Sequence, residues 1–216
     1  MGVKLKDLVD VKETSFEELS HRVIAIDAYN MLYQFITTIR MRDGTPLKNS
    51  KGKITSHLVG LLARTTNILE HGIKQIFIFD GVTPELKSAE RARRKKAKDD
   101  AKEQYDKAVA AEDVVMMKKY AGRTAKLTPE LIEESQRLLD CLGVPWMIAP
   151  AEAEAQAALL CKNGDADYCA SQDYDALLFG APKLLRNLNS SGKRKRPGSY
   201  SYDTVYPEII TLSDVL

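Results

Sequence analysis

Three short apolar runs stand out along the chain, and each ends in a carboxylate. Residues 23–26 (VIAI) lead to Asp27, 76–79 (IFIF) to Asp80, and 168–172 (YCASQ) to Asp173. A fourth run, 146–149 (WMIA), stops at Pro150 and is followed by Glu152. Their length, and the β-branched and aromatic content of the first two, predict strands buried on both faces. Between them the periodicity turns helical. Leu58, Leu61, Leu62, Ile68 and Leu69 predict a helix over 56–70, with Gly72 just beyond. Thr128 as N-cap, Pro129 at the first helical position, Leu131, Ile132, Leu138, Leu139 and Leu142 predict another, stopped by Gly143. An Ala-rich pattern over 151–162 predicts a third. Strands alternating with helices predict an α/β fold with a mostly parallel central sheet and helices on both faces. At 216 residues the chain is expected to form a single domain, 1–216.

One stretch departs from that core. Residues 82–126 are mostly charged side chains and Ala, a composition that favours helix but offers little apolar area, and they predict a helical insertion. The formal net charge of +2, from 32 Lys and Arg against 30 Asp and Glu, conceals a segregation. Lys87, Arg91, Arg93, Arg94, Lys95, Lys96 and Lys98 crowd the start of the insertion, with Glu90 the one acid among them. A second basic cluster, 193–196 (KRKR), lies between Gly192 and Pro197 and is expected to be a loop. A basic surface beside an acidic site suits a polyanion held electrostatically while metal ions act on it. Cys141, Cys161 and Cys169 are widely spaced and never in CxxC form, so they are expected to be small buried apolar groups. No apolar run approaches the ~20 residues of a bilayer span, and no charged-then-apolar leader opens the chain. An intracellular protein with no membrane contact is the expectation.

Open α/β sheets bind ligands outside the carboxyl ends of their strands. Asp27, Asp80 and Asp173 are all predicted there. Asp175, two residues on, faces the same way as Asp173 if the segment is extended. Glu152 and Glu154 reach a common site only from the first turn of their helix, a placement that Pro150 favours. Six carboxylates at one crest repel one another unless cations neutralise them. Oxygen donors without His or Cys suit hard ions such as Mg²⁺ or Mn²⁺. A pair of such ions can clamp both oxygens of an in-line phosphoryl displacement. There is no Walker A loop and no GxGxxG, and 79–83 (FDGVT) lacks the second Asp of a phosphatase DxD.

With these residues in view the sequence resembles the flap endonuclease family, the structure-specific 5′ nucleases of replication and repair, particularly its archaeal members. The resembling blocks are 1–3 (MGV), 23–28 (VIAIDA), 32–35 (LYQF), 76–81 (IFIFDG), 149–155 (APAEAEA) and 171–180 (SQDYDALLFG). The resemblance implies a PIN-like 5′ nuclease core and a two-metal phosphodiesterase using two Mg²⁺, with Mn²⁺ as substitute. It places Asp27, Asp80, Glu152, Glu154, Asp173 and Asp175 on the metal-site carboxylates. It makes 82–126 a helical arch, with Lys87 and Arg94 near the scissile phosphate; the neighbouring Arg91, Arg93, Lys95, Lys96 and Lys98 are expected, from their charge, to contact DNA as general phosphate attractors. It makes Tyr33 an aromatic that stacks on a base beside the cleavage site, and the partner branched or flap DNA.

Family members continue with a helix-turn-helix region that binds duplex DNA and carries a further metal-site Asp. They often end in a tail that docks on the sliding clamp. Neither is found in these 216 residues, which close on 210–216 (ITLSDVL), where a helix capped by Thr211 or Ser213 is expected to begin. The reading is therefore a flap endonuclease and 5′ exonuclease core, monomeric, in the cytoplasm or nucleoid of an archaeon or the nucleus of a eukaryote. The alternatives are a PIN-like endoribonuclease and a truncated DNA-binding module with little turnover.

Overall fold

The structure, a computed structural model, describes residues 9–82, 88–188, 193–195 and 202–215. The chain divides into two compact units: Met1–Met31, Arg64–Gly81 and Val144–Leu216 form one, Leu32–Ala63 and Val82–Gly143 the other.

The first unit is built on a seven-stranded sheet. Its strands are β1 (Lys12–Glu13), β2 (Val23–Asp27), β3 (Lys74–Phe79), β4 (Trp146–Ile148), β5 (Tyr168–Ala170), β6 (Lys183–Arg186) and β9 (Glu208–Thr211), in the order β1-β9-β6-β5-β2-β3-β4. The five strands from β6 to β4 run parallel. β9 is antiparallel to β6, and β1 antiparallel to β9. The apolar runs became the central strands because both faces are covered: Ile24, Ala25, Ile26, Phe77, Ile78 and Phe79 are all buried. Helix α6 (Ala153–Asn163) packs on β2, β3 and β5, and the short α7 (Asp175–Leu178) packs on α6 and β6. The chain leaves β2 towards β3 and β4 on one side, then returns to β5 and β6 on the other. That reversal is the switch point at which open α/β sheets form a crevice.

Two expectations fail in this unit. The helix expected to begin within 210–216 is a single 3-10 turn, Leu212–Asp214, with Thr211 in the N-cap position but making no side-chain cap. Ile210 and Thr211 belong instead to the strand 208–211, where Ile210 is fully buried opposite Leu184. Residues 193–195 are not a loop. They form β7 (Lys193–Lys195), whose backbone pairs antiparallel with β8 (Tyr202–Thr204); Arg196 lies outside the described residues.

The second unit holds the rest of α1 (Ala28–Thr38), the first half of α2 (Ser56–Glu70), α3 (Ser88–Ala110), α4 (Val114–Ala121) and α5 (Pro129–Leu142). It is wider than the expected insertion, taking in 32–63 and 127–143 as well. Leu32, Phe35 and Ile36 bury one face of α1, and a Cβ on Gly60 of α2 would overlap the Phe35 ring. α5 begins and ends where expected. Thr128 Oγ1 accepts the Leu131 N–H at 3.4 Å, and Gly143 takes the left-handed conformation that a side chain would disfavour. Cys141 is exposed, contrary to expectation, because Leu131, Ser135 and Leu139 define the buried face of α5 and Cys141 lies off it. Cys161 and Cys169 are buried.

Candidate metal and DNA-processing site

All six predicted carboxylates belong to the sheet-based unit, and the fold delivers them from five places. Asp27 closes β2 and opens α1, where its Oδ1 accepts the Asn30 N–H at 3.0 Å, as an N-cap does. Asp80 follows β3 immediately, and Gly81 lets the chain continue: a Cβ there would overlap the Ala149 carbonyl oxygen, while its N–H donates to Ala151 O at 2.7 Å. Glu152 occupies the N-cap position of α6 in extended conformation but makes no side-chain cap. The capping bond comes instead from Asp80, whose Oδ1 accepts the Ala153 N–H at 2.8 Å. Glu154 lies in the first turn, as the proline argument required.

The segment carrying Asp173 and Asp175 is not extended. β5 ends at Ala170, Tyr174 is already near helical geometry (φ −85°, ψ −2°), and Asp175 starts α7. The two acids therefore do not share a face by strand alternation. Asp173 is held by the Asn30 side chain, whose Nδ2 donates to its Oδ2 at 3.1 Å, and its N–H donates to Ser171 Oγ at 3.2 Å. Asn30 thus ties Asp27 on β2 to Asp173 beyond β5, across the switch point. A small cleft there is lined by Asp27, Asn30, Ala170, Ser171, Gln172 and Leu185, among others.

The electrostatics identify the cluster. Asp27 is 4% exposed. Burial and the fields of Glu154 and Asp80 push its pKa well above the carboxylate range, against the Asn30 N–H. Burial also raises Glu154, helped by Asp80, Asp175 and Glu152 and opposed by a backbone hydrogen bond. Five of the six acids therefore act on one another directly, and Asn30 brings in the sixth. Among the described residues no three acidic, His or Cys side chains close into a ready-made metal cage. The donor set still fits a hard cation: it is all oxygen, it is half-desolvated, and its own repulsion is what a divalent ion would relieve.

The remaining predicted residues belong to the helical unit or lie outside the described residues. Tyr33 is on α1, off the buried Leu32–Phe35–Ile36 face and 36% exposed, with the Lys98 ammonium 5.2 Å from its ring centroid. Arg93 is exposed on α3. Lys87 lies outside the described residues, as do the side chains of Arg91 and Arg94, whose backbone is in α3, and the block 1–3. Asn30 and Gly81 were missed in the sequence. Asn30 was findable, since it stands three residues after Asp27 at capping distance.

An open α/β sheet with acids at its switch point, interrupted by a basic helical segment, agrees with the family models. The XPG N-terminal domain matches residues 1–101 and the XPG I-region matches 143–216. The chain belongs to the XPG family of nucleases. Within it, Flap endonuclease 1 of Hyperthermus butylicus is 50% identical over 219 residues, and that of Pyrococcus horikoshii 50% over 216. Both alignments cover all of this chain and 63% of the relative, so the chain spans under two thirds of the curated relatives it matches. Among solved structures, flap endonuclease-1 from Methanococcus jannaschii matches with TM-score 0.72 and 42% identity, covering 99% of this chain and 64% of that one. The catalytic core of Rad2 in complex with DNA substrate matches at TM-score 0.62 and 25% identity, over 95% of this chain and 52% of its own.

Proposed function

We propose that this chain is the core of a structure-specific flap endonuclease and 5′ exonuclease that hydrolyses DNA phosphodiesters at single-strand/double-strand junctions. The observation that carries the reading is Asp27: a buried carboxylate whose strongest neighbours, Glu154 and Asp80, are also carboxylates. Such a group is stable as an anion only with a cation beside it. Asp27, Asp80, Glu152, Glu154, Asp173 and Asp175 would hold two Mg²⁺ ions, with Mn²⁺ as substitute. Bound there, the ions would activate a water and neutralise charge at the phosphate. Asn30 keeps Asp27 and Asp173 in fixed relation, and the bond from Asp80 to Ala153 fixes the start of α6, which carries Glu154. On α3, Lys95 and Lys96 attract the phosphodiester backbone, together with Arg91 and Arg93. Lys87 and Arg94 take their role at the scissile phosphate from the family resemblance. Tyr33 offers a ring for base stacking, worth ~1–3 kcal/mol per base. Branched DNA is the proposed partner and the chain acts as a monomer inside the cell; no described helix is long and apolar enough to cross a membrane.

The test is cleavage of end-labelled 5′-flap DNA, single-stranded DNA and hairpin RNA, with Mg²⁺ and with chelator. The expected result is metal-dependent cleavage at the flap junction. Preferred cleavage of the RNA would instead indicate an endoribonuclease. DNA binding without turnover at any Mg²⁺ or Mn²⁺ concentration would indicate a binding module.

A further inference from the structure

Asp173 and Asp175 sit on a bend that has no strand or long helix to stiffen it, yet the proposed chemistry needs both in place. We infer that Arg186, the last residue of β6, is the positioning residue for this loop, an inference that rests on reading the two acids as metal ligands. Its Nε donates to the Gln172 carbonyl at 3.2 Å, and its Nη1 donates to the Tyr174 hydroxyl at 2.8 Å. Its guanidinium also lies over the Tyr174 ring, 4.5 Å from the centroid. One side chain therefore grips the residues on both sides of Asp173, and the second of them, Tyr174, directly precedes Asp175.

The grip is anchored at both ends. Arg186 is fixed by its strand, and its Nη1 lies 3.4 Å from Glu208 Oε2, its cross-strand partner on β9, with the Arg186 side chain only 17% exposed. Tyr174 packs against the core cluster of the sheet-based unit, and its carbonyl accepts the Leu177 N–H at 2.9 Å in the first turn of α7. A planar, forked cation is needed, because a carbonyl, a hydroxyl and a ring face are met at once. Lysine has neither the fork nor the plane. The position works as an outer-shell partner does in metal proteins: it touches no ligand, yet it sets where two ligands point.

The test compares wild type with Arg186→Met, Arg186→Lys and Tyr174→Phe in the whole chain. Arg22→Met, which removes an exposed Arg–Asp pair elsewhere in the same unit, controls for charge. Two readouts are taken: Mn²⁺ binding by isothermal titration, and amide hydrogen exchange of 172–177 without metal. Arg186→Met should lower Mn²⁺ affinity about 10–100-fold and speed exchange in 172–177, with the other sheet amides unchanged. Arg186→Lys should restore little of either. Tyr174→Phe keeps the ring and loses one bond, so it should give a smaller loss of affinity; it carries the test if Arg186→Met does not fold. Arg22→Met should change neither. Unaltered exchange in 172–177 in Arg186→Met, or affinity equal to wild type, would overturn the inference. Wild type that binds no Mn²⁺ would sink the metal-site reading instead, and the exchange data would still decide whether Arg186 holds the loop.

Discussion

The sheet-based unit and the charged helices of the second unit treat ionisable side chains in opposite ways. At the crest, Asp27 and Asp80 are set at the ends of strands that cannot shift without breaking parallel pairing, and Asp27 is buried among core residues. On α3 the described charged side chains are exposed or, at Lys98, half-buried, and Ala101 and Ala108 are its buried residues among those described. It is held by the Glu103–Lys107 pair at i,i+4, by the Lys126–Asp99 pair and by packing on α4. The contrast teaches a division of labour. In the function proposed above, charge that must sit at a fixed point is placed on a deep scaffold at a cost in stability, and charge that must attract a polyanion is placed on an exposed helix.

The largest effect expected is on chemistry. Asp175→Asn should reduce single-turnover cleavage of flap DNA more than the ~10–100-fold typical of outer-shell changes in metal sites, while DNA affinity changes little. Near wild-type cleavage by this variant would dissolve the distinction between the two regions. Next in size is stability: Ile26→Ala, in the middle of β2, should cost about 2–5 kcal/mol by urea unfolding. The double change Lys95→Ala with Lys96→Ala should stay within about 0.5 kcal/mol. The smallest effect is on salt dependence. That same double variant should lower the slope of log K against log[salt] by up to about 0.9 for each phosphate it no longer neutralises, without altering the rate of bound substrate.

Much of this arrangement was readable from sequence where local rules suffice. The strands ending at Asp27 and Asp80 announced themselves by apolar runs, and α5 by Thr128, Pro129 and Gly143. The misreadings share a cause. Ile210 and Thr211 look like the start of an amphipathic helix until β6, distant in sequence, claims them as a strand. The basic residues 193–195 look like a loop until 202–204 pair with them. The bend at 172–175 and its hold by Arg186 depend on a partner that is distant in sequence, and an arginine carries no local mark of that duty. The places of Asp27, Asp80 and Glu154 at strand ends and a helix start were legible in the sequence, but the coupling of the acids through burial and Asn30 was visible only in the fold.

The central claim, that the crest is a strained cluster of acids awaiting a divalent cation, is tested most directly by thermal unfolding of wild type and Asp27→Asn across pH, with and without Mg²⁺. The folded Asp27 pKa lies well above its ordinary value, so the folded state holds that proton more tightly than the unfolded chain. Its contribution to stability is complete below about pH 4 and is lost as pH rises through the folded pKa. Without metal, wild type should therefore melt below Asp27→Asn at neutral pH, and the gap should narrow as pH falls below the folded pKa and close near about pH 4. Mg²⁺ should raise the melting temperature of wild type and barely move that of Asp27→Asn. An Asp27→Asn variant that melts below wild type without metal, or that gains as much from Mg²⁺, would contradict the account.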